Sequence, residues 1–234
     1  MSDYVLPPPP VPSLAVQGED ARFPLRRVLC VGRNYLDHVR EMGNDEREPP
    51  FFFMKPADAA FSAGQGDGAA IPFPPDTEDL HHEVELAVAL KSGGRDIAAG
   101  NALDHVYGYA VAIDLTRRDL QAAAKKAGRP WDWAKGFDLS APVGPIGPVE
   151  LATDFEVASA AIRLSVDDVV RQDAGTADMI WSVPDIISAA SRSVELKAGD
   201  LILTGTPAGV GRVEPGETLR GQITGLPDVV VKVG

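Results

Sequence analysis

Cysteine occurs once in the 234 residues, at Cys30. One thiol forms no internal disulfide, and with only 4 histidines beside it a structural zinc framework is not expected. Basic residues are also short: 22 Lys+Arg against 34 Asp+Glu leave a net charge of −12, which excludes a basic nucleic-acid binder. No apolar run approaches the roughly 20 residues that a bilayer-spanning helix needs, so no membrane partner is expected. Met1–Ser13 has neither the basic start nor the apolar stretch of a secretory leader, which makes a reducing cytoplasm the expected setting. Three catalytic templates are missing as well: the Gly-x-Ser-x-Gly elbow, the Gly-x4-Gly-Lys-Ser/Thr loop and the His-Glu-x-x-His zinc helix.

What is present belongs to a folded globular chain, with 44% hydrophobic and 24% charged residues. Pro7–Pro10 and Pro12 favour an extended polyproline stretch, so residues 1–27 are expected to be an arm, loose or laid on the body. No break in composition divides the remainder, and 28–234 reads as a single domain. Val28–Val31 and Phe51–Met54 are short apolar runs of buried-strand type. A polar helical turn is expected over Tyr35–Met42. His81–Leu90 alternates on a period of two, with Glu83, Glu85, Ala87 and Ala89 on one face and Val84, Leu86, Val88 and Leu90 on the other. Tyr107–Leu115 is another strand, and Arg118–Ala127 is a helix stopped by Gly128. Ile162–Val170 turns about Asp167-Asp168, and Pro184–Arg192 is a helix opening on proline. Asp200–Thr204, Glu217–Ile223 and Val229–Val233 are strands. Strands outnumber helices without alternating with them, so the expected class is mixed, β-rich α+β rather than doubly wound.

Glu83-Val84-Glu85 is the sharpest chemical feature, because residues i and i+2 of a strand project to the same side about 6.6–7 Å apart, where like charges repel. A solvated strand face would accommodate them. The small Ala87 and Ala89 suit a lined cavity instead, in which a hard divalent cation with a third carboxylate would relieve the repulsion. Asp114, at the end of an apolar strand, is the best third ligand; its plain structural role would be to cap the helix after it. His38 and Glu41, at i and i+3, can touch on a helical turn as a carboxylate-oriented base, or simply be a solvated pair. Thr204–Gly211 does not match dinucleotide spacing and reads as a backbone loop able to approach a small anion, or as a plain turn.

Six ordered segments then resemble one family, the fumarylacetoacetate hydrolase superfamily. They are CVGRNYLDHVREMG (Cys30–Gly43), FFFMKPADA (Phe51–Ala59), HHEVELAVAL (His81–Leu90), DLTRRDLQ (Asp114–Gln121), WDWAKGFD (Trp131–Asp138) and LILTGTPAGVG (Leu201–Gly211). FFFMKPADA, HHEVE and GRPWDWAKGF are further similar to the fumarylpyruvate (acylpyruvate) hydrolase branch. The resemblance implies a β-roll with short helices, a homodimer, and a site holding Mg2+ or Mn2+, with Ca2+ a further option. It carries the metal ligands over to Glu83, Glu85 and Asp114, and a His–Glu dyad on a lid segment to His38 and Glu41. Lys135, Arg118 and Gln121 match positions that bind substrate or stabilise its developing charge, and Thr204, Gly205 and Thr206 match the loop that meets the keto-acid end. Lys55 and Arg33 match motif positions without an assigned role. Gly136 stands where many relatives have serine.

The implied activity is hydrolysis of the C–C bond of a 3-acylpyruvate, most simply fumarylpyruvate to fumarate and pyruvate in gentisate-type aromatic catabolism. His38 would activate water, Lys135 would stabilise the tetrahedral oxyanion, and the cation would stabilise the departing enolate. Oxaloacetate decarboxylation or tautomerisation of a 2-oxo acid would use the same groups. A non-enzymatic acidic calcium-binding domain is the alternative of a different class.

Overall fold

The computed structural model describes residues 4–36, 48–64 and 68–234. Its centre is a sheet ordered β4 (Phe51–Lys55), β3 (Arg27–Gly32), β15 (Asp200–Leu203), β8 (Val84–Leu90), β9 (Val106–Ile113), β11 (Ala141–Val143) and β5 (Ala60–Ser62), with β12 (Gly147–Pro148) also pairing to β9. Neighbours are antiparallel except β3 with β15 and β5 with β11. Seven consecutive buried residues in β8 mean that both of its faces are covered.

The alternation in β8 tells which face is which. Val84, Leu86, Val88 and Leu90 enter the larger core, with Val111 and Ile113 of β9 and Ile202 of β15. A second sheet closes that core, ordered β14 (Val169–Gly175), β13 (Ala161–Val166), β17 (Thr218–Ile223), β18 (Val229–Val233) and β6 (Ala69–Ile71). Asp167 and Asp168 take φ of 45° and 65° in the two-residue loop joining β13 and β14, the left-handed pair that such a hairpin requires.

Ala87 and Ala89 do not line a cavity. They pack with Ala110, Ala112, Leu201 and Leu203 in a second core under Leu14, Val16 and Phe23. Those last three belong to a hairpin of β1 (Ser13–Val16) and β2 (Glu19–Pro24), turned at Gly18 with φ 77°. The polyproline reading therefore accounts for the chain only as far as Pro12; downstream, period-two burial in β1 makes a strand that lies on the sheet. Alanine suits this face because small side chains let the hairpin approach.

Helix α1 (Arg118–Ala127) runs as the composition predicts and ends on Gly128, whose φ is 63° and whose N–H meets the carbonyls of Ala124 and Lys125. A short α2 (Asp132–Lys135) follows. The last helix, α3 (Val183–Ser193), starts one residue before the expected proline because Ser182 is its N-cap, in a capping box with Asp185. The predicted strand over His81–Leu90 is broken at Glu83. Its first part is β7 (Leu80–His82), which lies between β10 (Thr116–Arg117) and β16 (Gly211–Arg212). The helix expected over Tyr35–Met42 falls beyond Leu36 outside the described residues.

Candidate active site

The break at Glu83 and the end of β9 meet. Val84 is registered opposite Ile113, and the Asp114 N–H donates to the Glu83 carbonyl over 2.8 Å. Glu83, Glu85 and Asp114 thus converge from two places along the chain, the start of β8 and the end of β9. All three are buried, and one carboxylate oxygen from each lies within 4.8 Å of the other two.

Two lysines neutralise part of this charge. Lys135 Nζ, carried in by α2, donates to Glu83 Oε2 at 2.8 Å and Asp114 Oδ2 at 2.7 Å. Burial works against its charge, but Asp114 and Glu83 outweigh that and raise its pKa above the ordinary lysine value. It is a fixed cation at neutral pH. Lys55, fully buried at the end of β4, sits 2.8 Å from Asp114 Oδ1 and donates to the carbonyls of Leu115 and Lys135. Arg118 pairs with Glu83, donates to Gln121 Oε1 at 2.6 Å and reaches His81 Nδ1 at 3.3 Å.

Glu85 has no such cation among the described residues. It accepts the Gly205 N–H at 2.7 Å, while burial, then Asp114 and Glu83, raise its pKa well above the carboxylate range. Asp114 Oδ1 is a buried oxygen that accepts no hydrogen bond, although Lys55 Nζ lies 2.8 Å away as its ion-pair partner. A buried, all-oxygen set with an orphaned acceptor and an under-compensated carboxylate fits a hard divalent cation.

Glu83 and Glu85 border a narrow cavity of about 40 Å3, with Asp114 behind them; Arg33, Phe51, Phe53, Arg118, Gln121, Lys125, Trp131, Lys135 and Thr206 also line it. The predicted Lys135, Arg118, Gln121 and Thr206 therefore come together. Thr204 does not border this space. Its hydroxyl is buried and donates to the Leu86 carbonyl at 3.0 Å, so it anchors the loop to β8. Gly205 offers its backbone to Glu85, and the anion its loop approaches is that carboxylate; with φ 93° and a Cβ position 2.8 Å from Asn34 Cβ, only glycine fits. Asp114 caps no helix, because the residue before α1 is Arg117. His38 and Glu41 lie outside the described residues.

Two buried amides escaped the sequence reading. Gln172 of β14 donates to Thr206 Oγ1 at 2.7 Å and the Pro207 carbonyl at 2.9 Å, and its oxygen meets Val84 N and His82 Nδ1. Asn34 ties the Thr204 carbonyl, at 2.8 Å, to Trp181. Neither carries a pattern signal: Gln172 is the one buried residue of a strand whose other residues are exposed or half-buried. Lys55 ends the edge strand β4, whose other residues are only half-buried or exposed, so its full burial follows from the elements it meets and not from a pattern along the chain.

A curled β-rich fold presenting buried acids, fixed cations and a lined cavity defines a metal-site enzyme of the acid-triad kind. The family model "Fumarylacetoacetate (FAA) hydrolase C-terminal" matches residues 27–234, and the chain belongs to that family. The crystal structure of fumarylpyruvate hydrolase from Pseudomonas aeruginosa in complex with Mn2+ and pyruvate superposes with a TM-score of 0.95, at 48% identity over 99% of both chains. Oxaloacetate tautomerase FAHD1, mitochondrial, from Oryza sativa subsp. japonica is 45% identical over 87% of each chain. Oxaloacetate decarboxylase, mitochondrial, from Dictyostelium discoideum is 41% identical over 86% of this chain and 90% of its own. Membership of this enzyme family sets aside the non-enzymatic calcium-binding alternative. Among the described residues no helix is long and apolar enough to cross a membrane.

Proposed function

We propose that the chain hydrolyses the C–C bond of a 3-acylpyruvate, with fumarylpyruvate as substrate and fumarate and pyruvate as products, at a Mg2+ or Mn2+ held by Glu83, Glu85 and Asp114. The convergence of these three buried acids beneath Lys135 and Arg118 carries the reading. The Pseudomonas relative, crystallised with Mn2+ and pyruvate, supports it. A bound divalent cation supplies Lewis-acid polarisation of the 2-oxo acid and a counter-charge for its leaving group.

The protein's own groups do the remainder. Arg118, braced by Gln121 and Glu83, binds the 2-oxo carboxylate as an oriented fork. Lys135, locked in its charged state, stabilises the negative oxygen that develops on the acyl carbon. Thr206, oriented by Gln172, presents its hydroxyl at the cavity wall. His38, oriented by Glu41, removes the proton from the attacking water, an assignment that rests on their i, i+3 spacing. A homodimer in the cytoplasm belongs to the same reading; light scattering checks the former.

Oxaloacetate tautomerisation or decarboxylation is the second reading, favoured by the rice and Dictyostelium relatives. Metal-loaded protein assayed against fumarylpyruvate, maleylpyruvate, acetylpyruvate and oxaloacetate separates the two. The expected result is a kcat/KM for fumarylpyruvate well above that for oxaloacetate; the opposite order transfers the assignment. Lys135→Met should lower kcat on the order of 10²–10³-fold. His38→Ala should lose on the order of 10²–10⁴-fold in turnover while keeping Mn2+ affinity. Wild-type turnover in His38→Ala removes it as the base.

A further inference from the structure

The bonds behind Thr206 decide where its hydroxyl proton goes. Gln172 Oε1 accepts the Val84 N–H at 3.0 Å, and Gln172 Nε2 donates to the Pro207 carbonyl at 2.9 Å. A backbone N–H only donates and a backbone carbonyl only accepts, so these two partners fix which end of the amide is oxygen and which is nitrogen. The same nitrogen lies 2.7 Å from Thr206 Oγ1 and can only donate to it. Thr206 Oγ1 is therefore the acceptor in that bond, and its own proton belongs to another one. Among the described residues no acceptor takes that proton, and Thr206 borders the cavity beside Glu83 and Glu85.

The amide oxygen has a second partner. His82 Nδ1 lies 3.1 Å from Gln172 Oε1, and a carbonyl oxygen only accepts, so Nδ1 carries a proton. The period of two turns His81 to the opposite side of β7, where Arg118 Nε donates to its Nδ1 at 3.3 Å and Asp79 Oδ1 meets its Nε2 at 2.9 Å. The adjacent rings thus carry their bonding protons on opposite nitrogens, Nε2 in His81 and Nδ1 in His82. His82, Gln172 and Thr206 are all buried, so water does not compete for the bonds between them. The amide also joins the two halves of the site, because Val84 separates Glu83 from Glu85 and Pro207 follows Thr206.

We propose that His82 and Gln172 are positioning residues that act through Thr206. Each donates to the next, so the Thr206 hydroxyl is held as a hydrogen-bond donor to an oxygen of the bound 2-oxo acid. Bonds that run one way along a buried chain polarise one another, and the last donor then suits an oxygen that carries negative charge. The inference deepens the proposed function and rests on it in placing the keto-acid end at the Thr206 loop.

Two readouts apart from turnover test this. Nitrogen-15 spectra of Mg2+-loaded wild type, with the histidines assigned through the backbone, should show a proton on His82 Nδ1; its absence overturns the relay without any variant. Calorimetric titration with oxalate, an unreactive dianion with a carboxylate beside a second oxygen-bearing carbon, reads the donor. Thr206→Val removes the hydroxyl at constant shape and should weaken oxalate about tenfold, the scale of a hydrogen bond to a charged group. His82→Leu should weaken it about threefold to fivefold in wild type but about 1.5-fold or less in Thr206→Val, where no hydroxyl is left to orient. His82→Asn keeps an N–H near the Nδ1 position and should stay within about twofold of wild type. Unchanged affinity in Thr206→Val, an equal His82→Leu loss in both backgrounds, or a His82→Asn loss as large as that of His82→Leu each overturns the proposal. If His82→Leu does not fold, the ring-nitrogen signal, Thr206→Val and His82→Asn decide. Failure of wild type to bind oxalate overturns the proposed function's placement of the keto-acid end, and the donor role with it; the ring-nitrogen signal, which needs no ligand, judges the chain of bonds separately.

Discussion

Glu85 holds its charge with less help than either acid beside it. Among the described residues its one hydrogen-bond donor is the Gly205 N–H at 2.7 Å, and burial, then Asp114 and Glu83, pushes its pKa up. In metal-free protein this residue is a cost: a buried charge without a partner is destabilising by several kcal/mol, and neutralising it by protonation consumes part of the same energy. Glu85→Gln keeps the shape and a carbonyl for Gly205 but removes the charge. In the presence of a chelator at pH 8 the variant should melt about 3–8 °C above wild type, at roughly 2–4 °C per kcal/mol for a chain of this size. Added Mn2+ should raise the melting temperature of wild type and leave that of the variant unchanged. Scanning fluorimetry with and without the cation reads both. A lower chelated melting temperature in Glu85→Gln would mean that the carboxylate is structurally satisfied and the site is not built for a cation.

Helix α1 must start at the right place for Arg118 to face the acids, and Asp119 secures that start. It accepts the Thr77 hydroxyl at 2.7 Å and the Glu78 N–H at 3.0 Å, while the Arg118 N–H meets the Asp79 carbonyl at 2.8 Å. Slight burial raises the Asp119 pKa, but these hydrogen bonds outweigh it and leave the value below normal. A depressed carboxylate pKa contributes stability that is present above the unfolded value of about 3.9 and lost as pH falls through the folded one. Asp119→Asn should therefore show a lower urea midpoint than wild type at pH 7, and the gap should narrow as pH falls below about 3.9; parallel profiles would remove the charge from the explanation. The β1–β2 hairpin makes a second element-scale prediction. Leu14 is fully buried against the alanine face, and Leu14→Ala should cost about 2–5 kcal/mol in urea unfolding, against almost nothing if the hairpin were a loose arm. The hairpin was hidden because the proline run before it dominates local composition, whereas its own evidence is four residues of alternation. By contrast β8, α1 and the glutamate pair were legible, since period and capping residue are local properties. What closes the site was not: Gln172, Asn34 and the placement of Lys55 depend on which strands lie side by side, and no spacing along the chain encodes that.

Across the whole molecule the site is a junction. Glu83 comes from the break after β7, Glu85 from β8, Asp114 from the end of β9, Lys135 from α2, and Gly205 from the loop after β15. Cation binding therefore joins segments that are distant in sequence, and a ligand that binds only the folded chain stabilises it by mass action. At a hundredfold excess over its dissociation constant that amounts to about 2.7 kcal/mol. For a chain of this length it corresponds to roughly 5–11 °C in melting temperature. Treatment with EDTA should lower the melting temperature by that amount relative to protein in excess Mn2+, and Mg2+ should restore it. The loss should also be uneven locally. Amides of β8, β9 and the Gly205 loop, which converge on the acids, should gain hydrogen-exchange protection with the cation at denaturant levels too low for global unfolding. The β13–β14 hairpin, turned at Asp167-Asp168 and contributing only Gln172 to the neighbourhood, should gain little under the same conditions. A uniform gain would place the ion's effect on global stability alone, and no gain in either measurement would mean that the acids bind no cation.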